Sequence, residues 1–301
     1  MKLLIAGGTG FIGTPLCQAL IAHEHELSVL TRQPQGHLAR AHLHYLPWQF
    51  EDVRRAIAEV EGVINLAGES IAAKRWSPRQ KLALQESRFH TTRLLVDAMA
   101  SQGTRPVVLI NASAIGYYGA RGSEPLLETS PPGDGFLAEL CKAWEREAQR
   151  AEPRGVRVVR IRIGMVLGPD GGALSKMVPP FRWCMGGPVG SGRQWVSWIH
   201  RADVVGLIEW ALTHPEVSGA VNATAPDPVT MDSFCRELGR AVRRPSWARV
   251  PGGVLRILLG EMAELLLTGQ RVIPNVALRS GYAFQFPELH HALATCVTSS
   301  A

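Results

Sequence analysis

The chain has 301 residues, 46% hydrophobic and 19% charged, with 30 glycines and 20 prolines. That balance excludes a disordered or fibrous chain and suits one large α/β domain, or a domain with a small appendix. The formal net charge is +6, but the basic residues are scattered and the densest group is only Arg240, Arg243 and Arg244. This dispersion weighs against nucleic acid, and attraction for a phosphorylated cofactor accounts for the sign equally well.

Five dispersed cysteines (Cys17, Cys141, Cys184, Cys235, Cys296) lack any metal or redox spacing and read as reduced thiols. The most apolar late stretch, residues 254–267, carries Arg256, Glu261 and Glu264 and is too short and too charged to span a bilayer. The expectation is a soluble, cytoplasmic protein with neither a membrane nor a nucleic acid as partner.

In chain order, β-rich runs at 2–6, 26–31, 62–66, 107–113 and 156–164 alternate with helical patterns at 11–22, 53–60, 78–99 and 136–152. The runs are rich in Val, Ile and Leu without strict alternation, as in strands buried on both faces. Right-handed crossovers then predict an α/β fold with a doubly wound parallel sheet. His42 and His44 alternate on a further candidate strand. Residues 164–192 hold eight glycines and four prolines, which predicts a functional loop without regular structure. A helix at 202–213, a strand at 220–223 and a helix after Thr230 follow. From about Trp247 a small helical appendix is expected, closing with residues 282–286 and a short helix to Cys296.

Gly7-Gly8-Thr9-Gly10-Phe11-Ile12-Gly13 places G-x-x-G-x-x-G directly after a strand and at the opening of a helix. Glycine permits the tight turn and close approach to a pyrophosphate, and the helix N-terminus adds unpaired N–H groups and positive potential. The second strand ends in Thr31-Arg32, with no carboxylate to meet a ribose 2′-hydroxyl. Arg32 suits a 2′-phosphate and selects NADP(H) over NAD(H), the alternative being a solvated loop arginine. Asn65-Leu66-Ala67-Gly68 ends the next strong strand, with small residues that let the backbone pass under the cofactor. The expected cofactor contacts are therefore Gly7, Thr9, Gly10, Phe11, Ile12, Gly13, Thr31, Arg32, Leu66, Ala67 and Gly68.

Together these stretches resemble the extended short-chain dehydrogenase/reductase superfamily. Residues 65–70 (NLAGES), 74–76 (KRW), 113–119 (SAIGYYG), 162–172 (RIGMVLGPDGG), 186–194 (GGPVGSGRQ), 198–200 (WIH) and 259–261 (LGE) bring the chain closer to its epimerase family proteins. The resemblance implies a Rossmann domain over residues 1–245, with a smaller substrate-side lobe and a substrate-loop region at about 164–198. It also implies a small helical C-terminal domain over 246–297. It adds Arg88 and Val166 as cofactor contacts near the nicotinamide, and a homodimer through the helices at 78–99 and 136–152.

Superfamily members pair a Ser or Thr with a Tyr and a Lys four residues apart on one helix face. Ser113 matches the serine. With Glu145 aligned to the acidic residue common in that helix, the other two positions become Leu137 and Cys141. Leucine cannot replace a phenol in proton transfer, so the chemistry has moved or is absent. Candidates for relocated chemistry are Tyr117 and Tyr118, Glu69 and Lys176. Glu69 is alternatively an ion-pair partner of Arg75 or Arg88, and Lys176 a solvated loop charge. Arg193 and Trp195, with Gln194 between them, are expected to face the substrate crevice, and His200 with Asp203 to hold a structural turn. The ten histidines form no metal site by spacing.

Two readings follow. The first is an NADP(H)-dependent oxidoreductase or epimerase acting on a small polar substrate, with Tyr117 or Tyr118 as acid/base and Ser113 orienting the reacting oxygen. The second is a non-catalytic NADP(H)-binding sensor or regulatory protein.

Overall fold

The apolar runs of the sequence alternate their side chains between two helical layers. The computed structural model describes residues 1–37, 41–101 and 106–298. Among these, seven strands form one parallel sheet: β1 (Lys2–Ala6), β2 (Glu26–Leu30), β3 (Leu43–Leu46), β4 (Gly62–Asn65), β5 (Val108–Ala114), β6 (Arg157–Ile163) and β7 (Gly219–Ala223). Their spatial order is β3-β2-β1-β4-β5-β6-β7, the arrangement of a doubly wound Rossmann sheet. His44 lies on β3, but His42 precedes it with a positive φ of 65°.

Helices α1 (Gly13–Ala22), α2 (Phe50–Glu59), α3 (Pro78–Ala100) and α4 (Phe136–Gln149) fall close to the expected ranges. The expected ranges began or ended up to three residues away, within the usual fraying of helix ends. Residues 164–192 depart from expectation: they contain a short strand, Met165–Leu167, and helix α5 (Leu174–Arg182). Pro179 and Pro180 remove two helical N–H donors from α5, yet buried Leu174 and Phe181 anchor it. Then come α6 (Arg201–Thr213) and α7 (Met231–Val242). The last part holds α8 (Gly252–Leu259), α9 (Glu264–Leu267), α10 (Asn275–Arg279) and α11 (Leu289–Thr298).

Leu3 and Ile5 of β1 pack with Leu16 and Leu20 of α1 and Leu207 and Ile208 of α6. Leu4 and Ala6 point the other way, toward Val53 and Ile57 of α2 and Leu95 and Met99 of α3. All twelve of these side chains are buried, and each such Leu, Ile, Val or Met contributes about 1.5–3 kcal/mol relative to exposure. A third cluster joins Phe181 of α5, Phe234 and Leu238 of α7 and Leu293 of α11. The C-terminal segment is further tied in by Arg271–Val272, which pairs in parallel with Pro125–Leu126. No helix among the described residues is long and apolar enough to cross a membrane.

The strand order reverses between β1 and β4, and the crevice beyond their carboxyl ends is where such sheets take ligands. The glycine turn after β1 and the 65–68 turn after β4 meet there, with Leu66 N–H donating to Ala6 O at 2.8 Å.

Candidate functional site

The turn leaving β1 is closed to side chains. Gly7 has φ +81°, and a Cβ on it would lie 2.8–2.9 Å from the Leu66–Ala67 backbone. A Cβ on Gly13 would come within 2.1 Å of Gly7 O. Gly10 N–H donates to Gly7 O at 3.0 Å, so the turn folds back on itself. Helix α1 then starts with no side-chain cap and no acidic residue in its first turn, which leaves its N-terminal donors to an anion. Thr9 and Gly10 are exposed, and Phe11 and Ile12 half-buried. The Phe11 ring lies against Gly168, Gly171 and Gly172 and under the Arg201 guanidinium, joining the turn to the loop after Met165–Leu167. Arg201 also pairs with Asp170.

At the end of β2, Thr31 is buried and its hydroxyl accepts from Gln33 N–H, bending the chain. Arg32 is exposed and has no hydrogen-bond or ion-pair partner among the described residues. A turn that excludes a Cβ at Gly7 and Gly13, an uncapped helix start and a guanidinium unpaired among the described residues fit a phosphorylated dinucleotide.

The floor is a polar network. The Asn65 amide donates to Thr92 Oγ1 and Asn111 Oδ1, and its Oδ1 accepts from Ala67 N–H. Arg88 folds back on the 68–69 turn, donating to Glu69 O, and lies 5.1 Å from the Trp144 ring. Glu69 forms neither expected ion pair: its carboxylate takes the Gln80 amide at 2.9 Å. Arg75 instead approaches Gly260. Val166 lies on the strand paired with Trp198–His200.

Ser113 is buried, and its hydroxyl donates to Glu145 Oε1 at 2.7 Å. The same carboxylate accepts from Arg162 Nε and Nη2 at 2.8 and 2.9 Å and from Arg160 at 3.2 Å. Leu137 and Cys141 of α4 face Gly116 just beyond β5, and burial pushes the Cys141 thiol up to about 12. Neither side chain is a proton donor at neutral pH.

Tyr118 does not meet the catalytic expectation. It is fully buried, with its hydroxyl donating to Asn222 Oδ1 and accepting from Arg162, and burial pushes the phenol up to about 12. Tyr117 lies with its ring 3.5 Å from the Arg162 guanidinium carbon; among the described residues its hydroxyl has no partner. Ser113 and Tyr118 are thus parts of one buried scaffold around Arg162, which sequence reasoning missed. Its signal is Arg162 itself, a cation in a strand otherwise fit for burial, which demands a carboxylate.

A cavity of about 400 Å³ opens beside this network. Ile115 of the 113–119 turn lines it, with Lys176 and Phe181 of α5, Trp195, and residues 259–270 from the C-terminal segment. Of the residues expected to face the substrate, Trp195 lines this cavity, while Arg193 is exposed and outside the lining. Neither tyrosine lines the cavity. Lys176 does, exposed to solvent and bonded across to Ala72 O. The lining is apolar, whereas the first reading of the sequence expected a small polar substrate.

His200 and Asp203 hold structure separately. His200 Nδ1 accepts from Ala202 N–H at the start of α6, and burial followed by the Arg201 charge pushes the imidazole down to about 4. Buried Asp203 accepts from the backbone N–H groups of Gln285 and Phe286. Glu288, His290 and His291 cluster on the surface, with both imidazoles near the carboxylate.

Residues 3–223 match the NAD dependent epimerase/dehydratase family, and residues 250–296 match a domain of unknown function, DUF1731. The epimerase family protein SDR39U1 homolog, chloroplastic, of Arabidopsis thaliana is 42% identical over 299 residues, covering 97% of this chain and 86% of its own. The crystal structure of human epimerase family protein SDR39U1 (isoform2) with NADPH aligns at a TM-score of 0.90 and 34% identity, over 99% of both chains. The nucleoside-diphosphate sugar epimerase of Corynebacterium glutamicum aligns at 0.79 and 29% identity, over 98% of this chain and 57% of its own. Cradle, sheet order and sequence agree: the chain belongs to the NAD dependent epimerase/dehydratase family.

Proposed function

We propose that the chain binds NADP(H) and acts as an oxidoreductase or epimerase on a small molecule held in the cavity. The observation that carries this is the glycine turn at the switch point, closed to a Cβ at Gly7 and Gly13, with Arg32 at the end of the neighbouring strand unpaired among the described residues. The NADPH named with the human relative supports the choice of cofactor.

In this reading the N–H groups of Thr9, Phe11, Ile12 and Gly13 would hold the pyrophosphate, and Thr31 with Arg32 would take the 2′-phosphate. Leu66, Ala67 and Gly68 line the adenine-ribose side, while Arg88 and Val166 face the nicotinamide end. When bound, the nicotinamide supplies or accepts a hydride. With Tyr118 and Ser113 committed to the Arg162 scaffold, Tyr117 is the group left to hold and release a proton at its hydroxyl oxygen; since it lies outside the cavity lining, this role requires the reacting end of the substrate to project past Ile115 toward the 113–119 turn. Residues 1–245 and 246–297 serve as cofactor domain and family-specific wall of the cavity. The buried thiols of Cys17, Cys141 and Cys235 support a reducing, cytoplasmic setting.

A non-catalytic NADP(H) sensor is the second reading, favoured by Leu137 and Cys141 where a phenol and an amine would serve. The test of the cofactor site is Arg32→Ala. Removing charge-assisted bonds worth about 1.5–3 kcal/mol weakens NADPH about 10–100-fold and leaves NADH nearly unchanged. Equal losses for both cofactors sink the phosphate role.

A further inference from the structure

We infer that the cavity takes an apolar ring or chain compound and not a nucleotide sugar. This rests on the reading of the cavity as the substrate site. The family name and the Corynebacterium glutamicum relative point toward sugar nucleotides, and the lining points elsewhere.

Met177, Phe181, Met231, Leu259, Met262 and Leu266 supply much of the wall. Thioether side chains adapt their shape to an irregular apolar guest. Lys176 is the one charged side chain in the lining. Its ammonium is bonded to Ala72 O.

The uncharged polar side chains are engaged in the same way. The Gln194 amide donates to Val189 O and Leu266 O, and Gln270 donates to Gly119 O. Ser197 donates to Gln270 O and accepts from Val272 N–H. Thr268 donates to Glu264 O, and the Trp195 indole donates to Ser123. Of the nearby cations, Arg249 pairs with Asp232, while Arg271 lies outside the lining, stacked 4.8 Å over the Trp195 ring with its buried Nε unbonded among the described residues.

A nucleoside diphosphate sugar brings a doubly charged pyrophosphate and a ring of hydroxyl groups. Each group buried here would lose its water and find the uncharged side chains of the lining already bonded, with Lys176 the one cation it could meet there among the described residues, a cost of several kcal/mol in sum. An apolar compound loses nothing comparable and gains contact with the methionines. The volume of about 400 Å³ falls within the range of ~300–1,000 Å³ common for pockets that enclose small molecules.

The surface outside continues the theme. Trp183 is 72% exposed and Met185, itself part of the lining, is 58% exposed. Trp247 is 69% exposed, and its indole donates to Cys184 O, which brings it beside them. A ligand arriving here crosses an apolar rim.

The test uses the full-length protein and N-phenyl-1-naphthylamine, a neutral dye that brightens in apolar surroundings. The dye is expected to saturate one site per chain, to be displaced by 2-naphthaldehyde, and to ignore UDP-glucose. Met262→Arg should lower dye affinity by about tenfold or more by placing a charge in the lining. Its thermal melt and its NADPH affinity report whether the fold is intact; if it does not fold, the wild-type competition decides alone. Absence of a saturable dye site, or displacement by UDP-glucose at lower concentration than by the aldehyde, overturns the inference. Turnover is not needed for these readouts. Dye and aldehyde binding without any NADPH oxidation counts against the enzymatic reading and supports the apolar class of the cavity.

Discussion

Replacing Glu145 with Gln tests the claim that Ser113, Arg160 and Arg162 are organised by one buried carboxylate. Glu145 and Arg162 side chains are each 3% exposed. The carboxylate accepts four hydrogen bonds, from Ser113 at 2.7 Å, Arg162 at 2.8 and 2.9 Å, and Arg160 at 3.2 Å. A glutamine of the same shape offers one acceptor oxygen and turns an NH₂ group toward a guanidinium. Arg160 is nearer the surface and can recruit water; Arg162 cannot. An uncompensated buried charge costs about 3–5 kcal/mol, a large part of a typical stability of about 5–15 kcal/mol. At roughly 2–4 °C per kcal/mol, the melting temperature should fall on the order of 10 °C, read by circular dichroism. Removing both charges in Glu145→Leu/Arg162→Met should cost less than Glu145→Gln alone, because no lone charge is left buried. A Glu145→Gln protein within about 1 kcal/mol of the parent would refute the reasoning. So would a double variant as destabilised as the sum of its parts.

Gly13→Ala should cost about 1–3 kcal/mol of stability, since its Cβ would sit 2.1 Å from Gly7 O. It should also weaken NADPH more than tenfold by shifting the turn. Gly253→Ala, where a Cβ meets nothing within 4 Å, is the control, and equal behaviour of the two in a fluorescence titration would remove the steric argument. Tyr117→Phe should lower kcat by about 10²–10⁴-fold with NADPH affinity kept, once a turned-over substrate is in hand; an unchanged kcat excludes its hydroxyl from proton transfer.

Stability should also fall as pH drops from about 6.5 to about 4, because unfolded His200 gains a proton that the folded state refuses. The shift corresponds to roughly 3 kcal/mol. Asp203, raised by burial, acts with the opposite sign, its contribution being lost as pH rises. The comparison is therefore between the parent and His200→Asn, which keeps a capping side chain; identical pH profiles of melting temperature would exclude His200.

The sheet was legible because its cause is local. A run such as Leu3–Ala6 is apolar at every position, which only a strand covered on both faces requires, and glycine turn and helix follow directly. The cofactor cradle was legible for the same reason: Gly7 and Gly13 are six residues apart, and their constraint is visible in that spacing. Helix α5 was not, because Pro179, Pro180 and the surrounding glycines oppose it locally and only the packing of Leu174 and Phe181 overrides them. The Glu145–Arg162 pair was hidden because its partners lie on different elements. Tyr117 and Tyr118 are adjacent in sequence, yet one is sealed behind Asn222 and the other keeps its hydroxyl unpaired. The apolar cavity was least accessible of all, since its walls come from stretches about 200 residues apart.

That last separation has a consequence for the chain as it is made. The glycine turn and the 65–68 turn are complete once Gly68 has emerged, whereas the cavity waits for Gln270 and the cluster behind it for Leu293 of α11. At ribosomal rates of about 5–20 residues per second, the interval from the first to the second is about 10–40 s. From the moment each is made, Phe181, Phe234 and Leu238 have no α11 to cover them until residues 289–298 follow. The nascent protein therefore gains its nucleotide cradle before this cluster, and carries an open oily face on α5 and α7 until α11 has emerged to cover it.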